Sequence, residues 1–195
     1  MVAQWGCDCV MAILPAIASP MHGALVPISF INLGGVSQVT FSNIPQAYQD
    51  LMIVLNIRST QSATLDALDI WLNGVTGSGL YSSTYLRGDG SSASSNRYSS
   101  VNIGYAQNNY PAASSTSGIF GTQVIHLLNY TNTTTYKTAL IRSTADLNGS
   151  GQTQVSVDLY RSTSAVTSFS LGSDNGANFA SGSTAELFGV RTVNQ

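Results

Sequence analysis

The sequence predicts an all-β protein, an antiparallel jelly-roll-like β-sandwich of about 8–11 strands with an extended N-terminal arm. Three observations lead there. Ser, Thr, Asn and Gly supply 40% of the 195 residues, and they compete with helix through local hydrogen bonds or backbone entropy. Charged residues are only 8%, with one Lys (Lys137) and one Glu (Glu186), so exposed helices have little to be built from. Runs of Val, Ile, Leu, Phe and Tyr with period-2 spacing recur along the chain, separated by short polar turns.

Residues 1–35 read as an arm. Lys and Arg are absent from Met1 to Ile57, and Pro15, Pro20 and Pro27 interrupt any helix. Val10 to Ala18, ending in Ala16-Ile17-Ala18, has the apolar core of a signal peptide but no positive residues before it. The plainer reading is a Pro-punctuated extended arm, and the sharper one is an arm that packs on a neighbouring subunit and anchors assembly. Residues 36–195 then form the sandwich. Counting from Leu25 on, strands are expected near 26–33, 36–41, 51–59, 68–73, 81–87, 98–105, 123–130, 136–143, 154–160, 165–171 and 185–193. Alternation is cleanest in Val155-Ser156-Val157-Asp158-Leu159, where apolar side chains face one way and polar ones the other, as a half-buried antiparallel sheet requires. Asn73-Gly74, Asp89-Gly90, Asn148-Gly149 and Asn175-Gly176 suit turns that need positive φ. The polar stretches Gly88 to Ser100 and Asn108 to Gly118 read as long surface loops.

A net charge of −2 without a basic cluster offers no footprint for phosphate backbones, which sets nucleic acid aside. No run of 18 apolar residues is present for a membrane-spanning helix. Cys7 and Cys9 are too close for an ordinary disulfide, and with His22 and His126 distant they make no zinc set. No metal or cofactor is expected. Calcium at Asp89, Asp146 or Asp174 has oxygen-rich loops in its favour and no ligand spacing. Sequons at Asn129, Asn132 and Asn148 follow from a composition rich in Asn, Ser and Thr.

Catalytic candidates are few. His126 sits inside Val124-Ile125-His126-Leu127-Leu128, where it reads as one polar position of a strand. Asp66 and Asp69 are the closest acids in sequence, as glycoside hydrolysis would want, but a loop and a strand start make them a solvated edge. Tyr81, Tyr85, Tyr98, Tyr105 and Tyr110 cluster in the middle third and suit contact with a partner or a glycan as well as they suit a core. Phe41, Ile44 and Tyr48, spaced by three and four, would stack along one helical turn with Pro45 near its start, plugging one end of the sandwich. Asp50 and Arg58 flank a buried strand and suit polar groups at its ends. Lys137 and Glu186 suit structural pairing.

The run from Phe41 to Leu51, FSNIPQAYQDL, followed by an apolar strand ending in Arg58-Ser59, resembles a pattern in small structural proteins of tailed bacteriophages. Leu72-Asn73-Gly74 with Tyr81-Ser82, Asn129 to Thr134 leading to Lys137-Thr138, and the closing Gly182 to Val190 extend the resemblance, which covers Val36 to Val193. It implies a non-enzymatic virion structural protein, a homotrimer shown on the particle as a tail-fibre or receptor-contacting module. The partners would be other virion proteins, held through the arm, and host surface glycan. A capsid decoration (cement) protein is the nearest alternative. A carbohydrate-active or glycan-binding secreted domain is the alternative from another class.

Overall fold

The computed structural model describes residues 24–191, with the backbone alone for 106–109. Cys7, Cys9, His22 and the arm up to residue 23 lie outside the described residues, as do 192–195. Twelve strands and no helix make up the described chain. They are β1 (Leu25–Asn32), β2 (Gln38–Phe41), β3 (Asp50–Ile57), β4 (Leu65–Leu72), β5 (Tyr81–Gly88), β6 (Ala93–Val101), β7 (Gly104–Pro111), β8 (Gly121–Leu128), β9 (Lys137–Asp146), β10 (Gly151–Tyr160), β11 (Phe169–Ser173) and β12 (Thr184–Val190).

Every strand pair is antiparallel, and the strands form two sheets packed as a sandwich. The larger has eight strands in the order β1-β12-β3-β8-β9-β10-β5-β6, and the smaller has four in the order β2-β11-β4-β7. Leu25–Asn32 falls within the span assigned to the arm, yet it pairs along β12 as the edge of the large sheet. Between the sheets lie Leu51, Ile53, Leu55 and Ile57 of β3, Ile125 and Leu127 of β8, and Leu68, Ile70 and Leu72 of β4, all buried. Alternate residues of β3 and β8 enter this core, so their period-2 pattern translates directly into burial.

The turn chemistry follows the sequence. Asn73 and Gly74 both have positive φ (55° and 63°), as do Asn148 and Gly149 (63° and 102°). Asn73 does more than turn the chain, because its Oδ1 accepts from the Thr167 and Ser168 amides while its Nδ2 donates to Ala165 O. That side chain ties the end of β4 to the entry of β11.

Four expectations are corrected here. The stretch 88–100 is not a loop: after a tight turn it becomes β6, a strand exposed on almost every residue, whose lack of apolar side chains hid it from a periodicity reading. Asn108 to Pro111 likewise complete β7, and the single strand expected at 98–105 is broken at Asn102-Ile103 between β6 and β7. The last inner strand starts at Phe169, not at residue 165. No helical turn carries Phe41, Ile44 and Tyr48. Asn43 takes φ +53°, Ile44 N–H donates across to Thr167 O, and Pro45 has no N–H for a helix.

Candidate functional site

The end of the sandwich is closed by an irregular chain in place of that turn. Phe41 pairs with Phe169 across β2 and β11, Ile44 is buried, and the Tyr130 hydroxyl donates to Pro45 O. Tyr48 lies flat on Gly189: a Cβ built there would stand 2.3 Å from its ring, so only glycine admits the tyrosine. Asp50, opening β3, accepts from Asn129 N–H (2.8 Å) and pairs with His126 Nε2 (3.0 Å). Arg58, just past β3, donates to the carbonyls of Thr116 (2.7 Å), Ile119 (2.9 Å), Ser115 (3.0 Å) and Ala113 (3.4 Å). One guanidinium thus gathers the whole loop before β8. Lys137 is wired in the same manner, giving Nζ to Thr135 O and Thr163 O, and burial holds its pKa below the usual lysine value.

The five tyrosines divide. Tyr81 is buried, stacked on Tyr160 at 4.9 Å, and its hydroxyl takes Leu72 N–H and donates to Val75 O; burial pushes it up to about 12. Tyr110 is buried with its hydroxyl on Asp66, and burial with that carboxylate pushes its pKa far up. Tyr85, Tyr98 and Tyr105, half-buried, stack in a ladder with centroids 6.4 and 5.8 Å apart, carrying the edge of the small sheet onto β5 and β6. Three of the five therefore form one structure and two belong to the interior.

Asp66 and Asp69 are not a solvated edge. Both are buried in β4, because β11 and the chain after it close over them. Asp66 accepts from Tyr110 and Ser173 hydroxyls, the Ala67 amide and the Asn175 amide, so its oxygens are fully engaged. Burial, with Asp174 and Asp66 nearby, pushes Asp69 up to about 7. Asp69 differs from Asp66 in that its Oδ1 has no partner among the described residues. His126 has Met52 and Leu140 as its cross-strand neighbours, and neither side chain is a nucleophile. Among the described residues, no group of three or more His, Cys, Asp or Glu is placed to hold a metal ion. Asp89 and Asp146 do line one open cleft of about 350 Å³ between two hairpin tips, but Asp89 is engaged by Ser91 and Ser92 and Asp146 by Asn148 N–H. Those turn bonds draw the Asp89 carboxyl well below its ordinary pKa. No helix of the described chain is long and apolar enough to cross a membrane.

What the sequence reading missed is the orientation of β10. Gln154, Ser156 and Asp158 face inward and are buried; Val155 and Val157 face outward, 43% and 44% exposed. Asp158 Oδ2 accepts Tyr105 N–H (2.9 Å), burial pushes its carboxyl up to about 7, and its other oxygen has no partner among the described residues. The Ser156 hydroxyl and the Gln154 amide are also buried without partners among the described residues. Strand β7 is the lid over this polar row, packing on β9, β10 and β5.

The outward valines belong to a larger surface. Following the register from Val155, one neighbour is Leu86 of β5 (60% exposed) and the other is Arg142 of β9, then Val124 of β8 and Val54 of β3. From Val157 the row runs through Leu140 (36% exposed), His126 and Met52 to Phe188 and Pro27. Phe30 of β1, 57% exposed, ends the first row beyond Glu186. These two rows of the outer face are thus largely apolar, with Arg142 and Glu186 in the first and His126, Thr84 and the exposed Arg97 of β6 in the second, while the row through Thr153, Thr144, Thr122 and Asn56 is polar. A solvated face of antiparallel sheet is ordinarily polar, so the exposed Val155, Val157, Leu86, Leu140 and Phe30 set this face apart. No family model matches this chain, and neither a curated protein nor a solved structure does.

Proposed function

We propose that the chain is a non-enzymatic structural protein of a tailed-bacteriophage virion, assembled as a homotrimer and displayed on the particle as a tail-fibre or receptor-contacting module. The observation that carries the reading is the sheet face on which Val155, Val157, Leu140 and Leu86 stand exposed on three neighbouring strands. The sequence resemblance over Val36 to Val193 supplies the virion context. Strand order supports the finer fold reading as well. Without the hairpins β5–β6 and β9–β10, eight strands remain as β1-β12-β3-β8 facing β2-β11-β4-β7, the order of a jelly roll made of two Greek keys.

Electron microscopy of virions carrying a labelled copy tests placement. Label confined to the tail is expected; label spread over the head would favour the decoration reading, and unlabelled particles would defeat both. Light scattering should return a trimer mass, and a strict monomer removes the trimer. For the carbohydrate-active alternative, incubation with host surface polysaccharide should release no oligosaccharide. Release that disappears in Asp66→Asn or Asp69→Asn would overturn the non-enzymatic reading.

A further inference from the structure

We infer that Asn148, at the tip of the β9–β10 hairpin, is a site of spontaneous covalent modification, where the folded chain deamidates to aspartate and isoaspartate. This does not depend on the virion reading. The sequence offers the same dipeptide three times, as Asn73-Gly74, Asn148-Gly149 and Asn175-Gly176, and a glycine after asparagine leaves the following amide nitrogen unhindered. The reaction needs no enzyme. Gly149 N gives its proton to hydroxide and attacks Asn148 Cγ; the new C–N bond closes a cyclic imide, the Cγ–Nδ2 bond breaks, and Nδ2 leaves as ammonia with a proton taken from water. Water then opens one or other carbonyl of the imide, returning aspartate or routing the main chain through the side chain as isoaspartate. In a folded chain the rate turns on whether Cγ and the next backbone nitrogen are free to meet.

The three sites differ in that freedom. Asn73 is held by its whole side chain: Oδ1 accepts from Thr167 and Ser168 N–H while Nδ2 donates to Ala165 O, so moving it unties β4 from β11. Asn175 Nδ2 donates to the buried Asp66 Oδ1, and the Gly176 N–H that would attack is itself bound to Ser173 O (3.0 Å). Asn148 is exposed, its side chain makes no hydrogen bond among the described residues, and Gly149 N–H has no acceptor among them. The bonds that shape this tip, Leu147 N–H to Ser150 O (2.8 Å) and Asn148 N–H to Asp146 Oδ1 (2.9 Å), bypass both reacting atoms. Opening an exposed hairpin tip breaks local bonds alone, which places it at the low-stability end of a fold. The product adds a carboxylate to a tip whose Asp146 and Gly149 line the open cleft with Asp89, and it takes the net charge from −2 to −3.

Peptide mapping by mass spectrometry tests this on the full-length chain held at mildly alkaline pH, beside a sample unfolded in urea. Dividing each site's rate in the folded chain by its own rate in urea removes the effect of local sequence and leaves the protection that folding gives. Asn148 should be the least protected, severalfold less than Asn73 and Asn175. Protection at Asn148 equal to or greater than that at either other site overturns the proposal. The Asn148 product should accept a methyl group from isoaspartyl methyltransferase, whereas aspartate without any isoaspartate would mean direct hydrolysis and overturn the imide route. Isoelectric focusing gives a second reading, in which Asn148→Gln should abolish the first acidic species that the parent chain develops. Persistence of that species at the parent's rate overturns the proposal as well. Should the variant fold poorly, the mapping of the parent chain still decides.

Discussion

Two halves of one sheet use the same alternating pattern in opposite senses. In β3 and β8 the apolar residues point between the sheets and pack on β4 and β11: Ile53, Ile125 and Ile141 stand in one register row, all fully buried. In β10 and β5 the inward positions are Gln154, Ser156, Asp158 and Ser83, and the outward ones are Val155, Val157 and Leu86. A half whose apolar face meets the second sheet is stabilised by that contact. A half whose apolar face is exposed is held by its ladder hydrogen bonds and by β7 packed on its polar side.

The largest expected effect lies in the second half. Folding holds the Asp158 proton up to about pH 7, whereas the unfolded chain releases it near 3.8, so this carboxyl weakens the fold progressively between those values. Asp158→Asn keeps an acceptor for Tyr105 N–H and removes the ionisation. It should match the parent near pH 4 and exceed it by about 4 kcal/mol at pH 8. A stability difference that stays flat with pH would show Asp158 in water. In the first half the sign reverses. Ile125→Ala should cost about 3 kcal/mol in urea unfolding, the usual range for emptying a closed core site. A cost under about 1 kcal/mol would mean that the two sheets do not close over β8. Smaller again, Ser156→Ala removes a buried hydroxyl with no partner among the described residues and should stabilise by about 1 kcal/mol, where loss of stability would reveal a bond the hydroxyl does make. The smallest effect belongs to Val157→Ser on the outer face, which should change stability by less than about 0.5 kcal/mol. A large cost would place Val157 in a core.

Much of the fold was legible because β3, β8, β9 and β12 are half-buried strands, and their alternation is the physical trace of one face packed and one not. The turns were legible for a separate reason, since Asn73 and Asn148 precede glycines at sites that demand positive φ. Strand β6 was not, because an edge strand exposed on both faces leaves no hydrophobic period to read. Asp66 was misjudged from its neighbours: its partners Tyr110, Ser173 and Asn175 arrive from β7, β11 and the chain after it, more than 40 residues away. The candidate surface was half visible. Val155 and Val157 were recognised as one apolar side of a strand, but which way that side turned was not written in the strand.

Composition and spacing alone thus account for the all-β, helix-free character of the described residues and for most of their turns, since those follow from local backbone preference and from a period of two. The sense of β10, the burial of Asp66 and Asp69, and the apolar outer face come from long-range pairing. Alternation is symmetric under exchange of the two faces of a strand, so no local pattern can say which face a second sheet will cover; β7 settles it by packing on the polar side of β10.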